Sequence, residues 1–216
     1  MVLFMRKFAV RLLSMFSGIM LYAIGIVAII NANIGYAPWE VFHAGLANST
    51  GLSIGLASII AGVVIVALVT ALGEKFGIGT IASMILTGVF IDVIMIADII
   101  PTANSIVIGI AMLIIGLFVI SLGSYFYIKS AFGVGPRDNL MVVLVRKVNL
   151  PVGAWRGIIE ITVTFIGWLL GGMVGVGTVI SMFAIGLCIQ IVFWTFKFDV
   201  KAVKHETLRE SCMRRE

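Results

Sequence analysis

Ile106–Ile128 reads IVIGIAMLIIGLFVISLGSYFYI, a run with no charged side chain. About 20 apolar residues carry a helix across the hydrocarbon of a bilayer, so this run is read as a transmembrane helix. Five more stretches meet the same criterion: Phe8–Ile30, Ile54–Leu72, Ile78–Ile99, Ala154–Leu170 and Val176–Phe196. Two shorter stretches, Pro38–Asn48 and Pro136–Asn149, are read as short extra helices, each following the first span of its half. The composition of the whole chain agrees with this reading. Of 216 residues, 61% are hydrophobic and 12% charged, and the mean hydropathy is +1.20. A soluble domain carries about 25% charged residues, because its surface must be covered with polar groups. A disordered chain, a coiled coil, a secreted disulfide scaffold and a nucleic-acid binder are excluded together. The chain is an all-α, polytopic membrane protein.

The N-terminal run is too long for a signal-peptide core of roughly 7–15 residues and no small-residue cleavage site follows it, so it is a retained span. Cys188 and Cys212 form neither a disulfide framework nor a metal spacing, and no metal or other cofactor is expected. With the N-terminus inside, all fifteen Lys and Arg residues fall on the cytoplasmic side: Arg6, Lys7 and Arg11, then Lys75, then Lys129 to Arg156, then the tail from Lys197. The outer connections carry Glu40, His43 and Asp98 and nothing basic. This is the positive-inside pattern, with both termini cytoplasmic. The net charge of +5 describes orientation and needs no polyanionic partner. Tyr36 and Trp39 suit an outer aromatic belt, Trp155 and Trp194 an inner one.

The stretch quoted first also contains half of a repeat. Gly116-x6-Gly123 matches Gly18-x6-Gly25 at an offset of 98 residues. Without a gap, the same offset pairs Gly35-x-x-Pro38 with Gly133-x-x-Pro136, Glu40 with Asp138, Gly55 with Gly153, and Gly77-Ile78-Gly79-Thr80 with Gly175-Val176-Gly177-Thr178. It also pairs Gly88 with Gly186 and Asp92 with Gln190. Each copy holds three spans, an odd number, so the halves are expected to lie in opposite orientations, the plan of many transporters. The expected organisation is a first repeat over 1–98, a second over 99–196, and a basic cytoplasmic tail over 197–216.

Gly35-Tyr36-Ala37-Pro38-Trp39-Glu40-Val41 followed by Gly51-Leu52-Ser53-Ile54-Gly55, with its second copy Gly133-Val134-Gly135-Pro136-Arg137-Asp138, resembles the YczE/YyaS/YitT group of bacterial integral membrane proteins. The resemblance runs from Arg6 to about Phe196. The absence of a soluble C-terminal domain resembles the YczE branch. It implies a multi-pass protein of the bacterial plasma membrane and supplies no catalytic residue.

Candidate site residues come from the polar positions inside this framework. Gly35 and Gly133 relax the backbone, and Pro38 and Pro136 open short helices tucked at opposite faces of the membrane. Glu40 and Asp138 then sit in first turns, where they either complement the helix dipole or join the exposed N–H groups in holding a ligand. Asp92 and Gln190 follow Gly88 and Gly186 by four residues and share their faces, which glycine packing turns inward. Asp92 is either a pathway residue or a carboxylate reaching the outer vestibule. Glu160 has Arg156 four residues before it and Thr164 four after, and its repeat partner is Gly62. It is either a paired charge that fixes packing or a coupling carboxylate. Gly55, Gly88, Gly153 and Gly186 are packing positions. Thr80, Ser83 and Thr87 form a hydrogen-bonding stripe opposite Asp92, and His43 and His205 are read as lone, solvated residues.

No nucleophile-elbow, zincin, Walker or Rossmann pattern stands in a fitting context, so an enzyme is not expected. The sequence therefore reads as a small-molecule or ion permease with its pathway between inverted halves, lined by Glu40, Asp92, Asp138, Arg156, Glu160 and Gln190. The alternatives are a non-transporting regulator or assembly partner acting through the basic tail, and a substrate-binding membrane subunit of a larger importer. The expected partners are the bilayer, anionic lipid at the cytoplasmic face, a second copy of the chain and a small-molecule substrate of unknown identity, with no nucleic acid.

Overall fold

A computed structural model of the protein describes residues 2–74, 76–133, 135–148, 150–199 and 203. Lys75, Val134, Asn149, His205, Cys212 and most of the basic tail lie outside the described residues. Among the described residues there are eight helices and no strand. They are α1 Val2–Asn31, α2 Pro38–Thr50, α3 Ile54–Ala71, α4 Ile78–Ile96, α5 Ile106–Lys129, α6 Pro136–Lys147, α7 Val152–Leu169 and α8 Val176–Thr195. Among the described residues, five helices are long and apolar enough to cross a membrane: α1 from Phe8 onward, α3, α4, α5 and α8. The remaining expected span, Ala154–Leu170, coincides with α7, which at 18 residues equals α3 in length but carries Arg156 and Glu160.

Local chemistry fixes the helix starts. Ser53 and Ser105 cap α3 and α5 by accepting from the N–H groups of Leu56 and Ile108 at 3.1 and 3.4 Å. Pro38 and Pro136 occupy first positions, where a missing N–H costs nothing. In α4 and α8 a threonine in the first turn reaches back to the chain: Gly77 N–H donates to Thr80 Oγ1 at 3.4 Å and Gly175 N–H to Thr178 Oγ1 at 3.1 Å.

The centre of the bundle is the crossing of α1 and α5, its most extensive interface. A Cβ on Gly18 would lie 2.8 Å from the Gly123 carbonyl oxygen, and one on Gly25 would lie 2.7 Å from that of Gly116. The two helices therefore meet backbone to backbone, as small-residue seams in membranes allow. Ile26, Ile29, Leu113 and Leu117 fill the space beside them. On either side of this crossing, α4 packs on α1 and α8 on α5, while α3 packs on α4 and α7 on α2. Large apolar side chains such as Val64, Ile161, Phe165, Phe183 and Leu187 face outward, an arrangement suited to the bilayer, which solvates hydrocarbon.

Helices α6, α7 and α8 each begin 98 residues after α2, α3 and α4. Two loop joints recur at the same offset. Gly177 N–H donates to the Ile34 carbonyl at 2.8 Å, and Gly79 N–H donates to the Phe132 carbonyl at 2.9 Å. The glycines that follow those carbonyls, Gly35 and Gly133, have φ of +109° and +145°, conformations that L side chains rarely adopt.

Candidate functional site

The N-terminal turns of α2 and α6 converge on a cavity of about 450 Å³ between the two halves of the chain. The charge pattern assigns Glu40 and Arg137 to opposite sides of the membrane. The structure brings them together, with both terminal nitrogens of Arg137 at 3.4 Å from Glu40 Oε1. The first turns of the two short helices therefore meet. Glu40 is 4% exposed. The Arg137 guanidinium also lies over the Trp39 ring, 4.8 Å from its centroid, a cation–π contact. Trp39 thus lines the cavity as well.

Helix α7 contributes a second pair, Arg156 Nε to Glu160 Oε1 at 3.0 Å, one helical turn apart. Asp138 lines the same cavity and is exposed. The walls include Tyr22, Leu117, Ile120, Tyr127, Met84, Ile185 and Ile189. Ser83, Thr87 and Ser181 add hydroxyls, with Ser83 donating to the Thr80 carbonyl at 3.0 Å and Ser181 to that of Gly177 at 2.7 Å.

His43, read from the sequence as solvated, is 2% exposed, lines the cavity, and its Nδ1 has no hydrogen-bond partner. The reversal has a simple cause: α2 packs against α7, so the short helix is covered and not solvated. Burial and the nearby Arg137 charge hold the His43 imidazolium well below the usual value near 6.5, so the ring is neutral at pH 7. Burial pushes the Glu40 carboxyl up from its ordinary value, and Arg137 pulls it part of the way back. The lining thus combines two guanidiniums, three carboxylates, a neutral imidazole and the positive ends of two helices.

Glu40, Asp138, Arg156 and Glu160 are therefore gathered in one place. Asp92 and Gln190 are not among the cavity residues. Asp92 caps the start of α3 from the neighbouring helix: Ser53 Oγ donates to its Oδ2 at 2.5 Å and Gly55 N–H to its Oδ1 at 2.8 Å. The glycine face on which it lies packs against α3, and Asp92 does not line the cavity. Gln190 is exposed, and a Cβ on Gly186 would meet nothing within 4 Å, so the expected glycine packing is present in the first half only. Trp39, His43 and Arg137 were not among the sequence candidates. One available signal was that Trp39 and Arg137 occupy equivalent repeat positions; another was that His43 lies one turn beyond Glu40 on the same helix. Among the described residues, no group of three His, Cys, Asp or Glu side chains is placed to hold a metal ion.

The model of a family described as "Family of unknown function (DUF6198)" matches residues 9–193. The chain belongs to this family. It is 32% identical over 177 residues to "Uncharacterized membrane protein YczE" of Bacillus subtilis, covering 81% of each chain. An "Uncharacterized protein" of Haemophilus influenzae is 30% identical over 177 residues, covering 80% of each. "Uncharacterized protein YyaS" of Bacillus subtilis is 24% identical over 177 residues, covering 81% of this chain and 88% of that one. The resemblance read from the Gly-x-x-Pro-x-acid elements is borne out for the YczE/YyaS group. No solved structure matches.

Proposed function

We propose that the protein is a plasma-membrane permease for a small organic solute, with its binding site at the interface of two inverted three-span repeats. In this reading α7 is the sixth span, and both chain termini are cytoplasmic. One observation carries the proposal: the cavity is lined from both halves by residues at equivalent repeat positions. Pro38 stands with Pro136, Trp39 with Arg137, Glu40 with Asp138, and Ser83 with Ser181. Shared lining by equivalent elements is what a transporter built from a duplicated unit presents at its substrate site. Family membership adds the membrane setting and no activity.

The cavity chemistry narrows the substrate class. Three carboxylates oppose two guanidiniums and two helix starts, each of which carries about half a positive charge. A lining so nearly balanced suits a dipolar or zwitterionic solute, with its anionic end at the helix starts and guanidiniums and its cationic end at the carboxylates. The aromatic and aliphatic walls suit an apolar body between those ends. A thermal-unfolding screen of the purified protein against zwitterionic, anionic and cationic metabolites tests this, since a ligand that binds the folded state raises its unfolding temperature. Zwitterions are expected to stabilise the protein, and Arg137→Gln to remove both that stabilisation and flux in proteoliposomes. Equal responses to all three classes, or wild-type flux in Arg137→Gln and Glu160→Gln, would refute the assignment.

A further inference from the structure

The two seams that flank the cavity are built from the same residues and packed differently. In the first seam, between α3 and α4, Gly55 and Gly88 abut. A Cβ on Gly55 would run into the Gly88 carbonyl oxygen, and one on Gly88 would lie 2.5 Å from that of Gly55. Asp92 fastens the seam by accepting from Ser53 Oγ and from Gly55 N–H. In the second seam, between α7 and α8, the equivalent glycines are Gly153 and Gly186, and a Cβ on either would meet nothing within 4 Å. Gln190, the counterpart of Asp92, is exposed, and α7 leans on α2 without packing along α8.

Residue size does not account for the difference, because all four positions are glycine. The surrounding frame does not account for it either. The α1–α5 crossing is reciprocal, Gly18 to Gly123 and Gly25 to Gly116, and the joints Gly177–Ile34 and Gly79–Phe132 are alike to 0.1 Å. What differs is the placement of α3 and α7 on a shared frame. The open seam borders the cavity directly, since Arg156, Ile159 and Glu160 of α7 and Ile189 and Phe193 of α8 all line it.

We propose that this is one of two interchangeable states: the α3/α4 seam is shut by the Asp92 clasp while the α7/α8 seam stands open, and in the other state α7 closes onto α8, Gly153 against Gly186, as α3 parts from α4. The proposal rests on the inverted-repeat reading above, under which the open seam is the cytoplasmic one. The same glycine contact serves both gates, and the clasp biases which of them is shut. A two-state element that both sides of a binding site can shift is what alternating exposure requires.

Cross-linking in membranes tests the exchange on the full chain carrying Cys188→Ala and Cys212→Ser. Pro151→Cys with Gln190→Cys marks the open seam at the positions equivalent to Ser53 and Asp92. Gly62→Cys with Met84→Cys marks the shut seam away from the clasp, where a Cβ on Gly62 would lie 3.6 Å from that of Met84, and serves as the positive control for a short bis-thiol reagent. The control pair is expected to link at once and the Pro151/Gln190 pair more slowly. Adding Asp92→Ala is expected to speed the slower link by about tenfold or more, the weight of one charge-assisted hydrogen bond. Gly186→Leu, for which the open seam has room, is expected to suppress that link and leave the protein folded. Failure of the Pro151/Gln190 pair to link, with each single thiol still reacting with a monofunctional maleimide, would overturn the proposal. A link that forms at the same rate with and without Asp92→Ala would also overturn it, because the seams would then close independently. The readout involves no substrate, so exchange without flux would count against transport alone, and flux without exchange against the two-state seam alone.

Discussion

Glu40→Gln removes the charge of the most enclosed acid in the cavity and leaves the shape almost unchanged. The Glu40 side chain is 5% exposed and that of Arg137 is 25% exposed. Breaking a buried ion pair from one side costs about 3–5 kcal/mol, because the remaining charge is left without compensation. Here the Trp39 face, the neighbouring Asp138 and the partial exposure of Arg137 offset part of that, which leaves about 2–3 kcal/mol. For a protein of this length, 1 kcal/mol corresponds to about 2–4 °C in unfolding temperature, so Glu40→Gln is expected to lower it by roughly 4–12 °C. Glu160→Gln provides the comparison. Its partner Arg156 is 43% exposed, and a solvated i,i+4 pair contributes under about 1 kcal/mol. The assay is intrinsic-fluorescence unfolding in detergent, extended to a double-mutant cycle with Arg137→Gln. The double variant is expected to recover at least about 1.5 kcal/mol relative to additivity, because neither charge is then stranded. An unfolding temperature for Glu40→Gln within about 1 °C of wild type, or strict additivity in the cycle, would refute the account of a buried and coupled pair.

Three further outcomes follow from the geometry. Gly25→Ala places a Cβ 2.6 Å from Ile120 Cγ1 and 2.7 Å from the Gly116 carbonyl oxygen, so it is expected to cost about 1–3 kcal/mol of unfolding free energy in the same assay. Gly186→Ala meets open space and is expected to gain about 0.5–1 kcal/mol from helix propensity; equal effects of the two substitutions would count against the packing described. His43→Leu removes a buried, unpartnered ring nitrogen and is expected to be neutral or stabilising at pH 7. It is also expected to flatten the acid limb of a pH series: in the wild type the folded imidazole titrates well below 6.5, so the unfolded chain takes up the proton first and stability falls as the pH drops below about 6.5.

The helices were legible because their punctuation is local. Pro38 and Pro136 each mark a start, and the predicted span Ile106–Ile128 is α5 to within one residue at its C-terminal end. The charge pattern separated two kinds of connection but could not show that Glu40 and Arg137, assigned to different sides, approach to 3.4 Å. That contact depends on two short helices entering from different connections, a long-range fact with no trace in periodicity. The sequence makes His43 a solvated residue of a short helix, because the covering surface is supplied by α7, more than 100 residues later in the chain. Asp92 misled in the opposite way. Its glycine face was read correctly as a packing face, but the packing partner turned out to offer a helix start for the carboxylate to cap, and this took the acid away from the cavity.

The two loop joints also bear on how the chain is made. Gly79, in the first half, donates its N–H to Phe132 in the second, and Gly177, in the second, donates to Ile34 in the first. Neither half satisfies its own backbone at these places. During synthesis the first half reaches the bilayer with the Gly79 donor and the Ile34 acceptor both still without the partners they have in the finished fold. Its helices can insert one at a time, but α4 has a finished N-terminus only once the ribosome has delivered Phe132. The molecule is thus completed by an exchange of main-chain hydrogen bonds late in biogenesis, and two separately synthesised halves would assemble by making the same exchange.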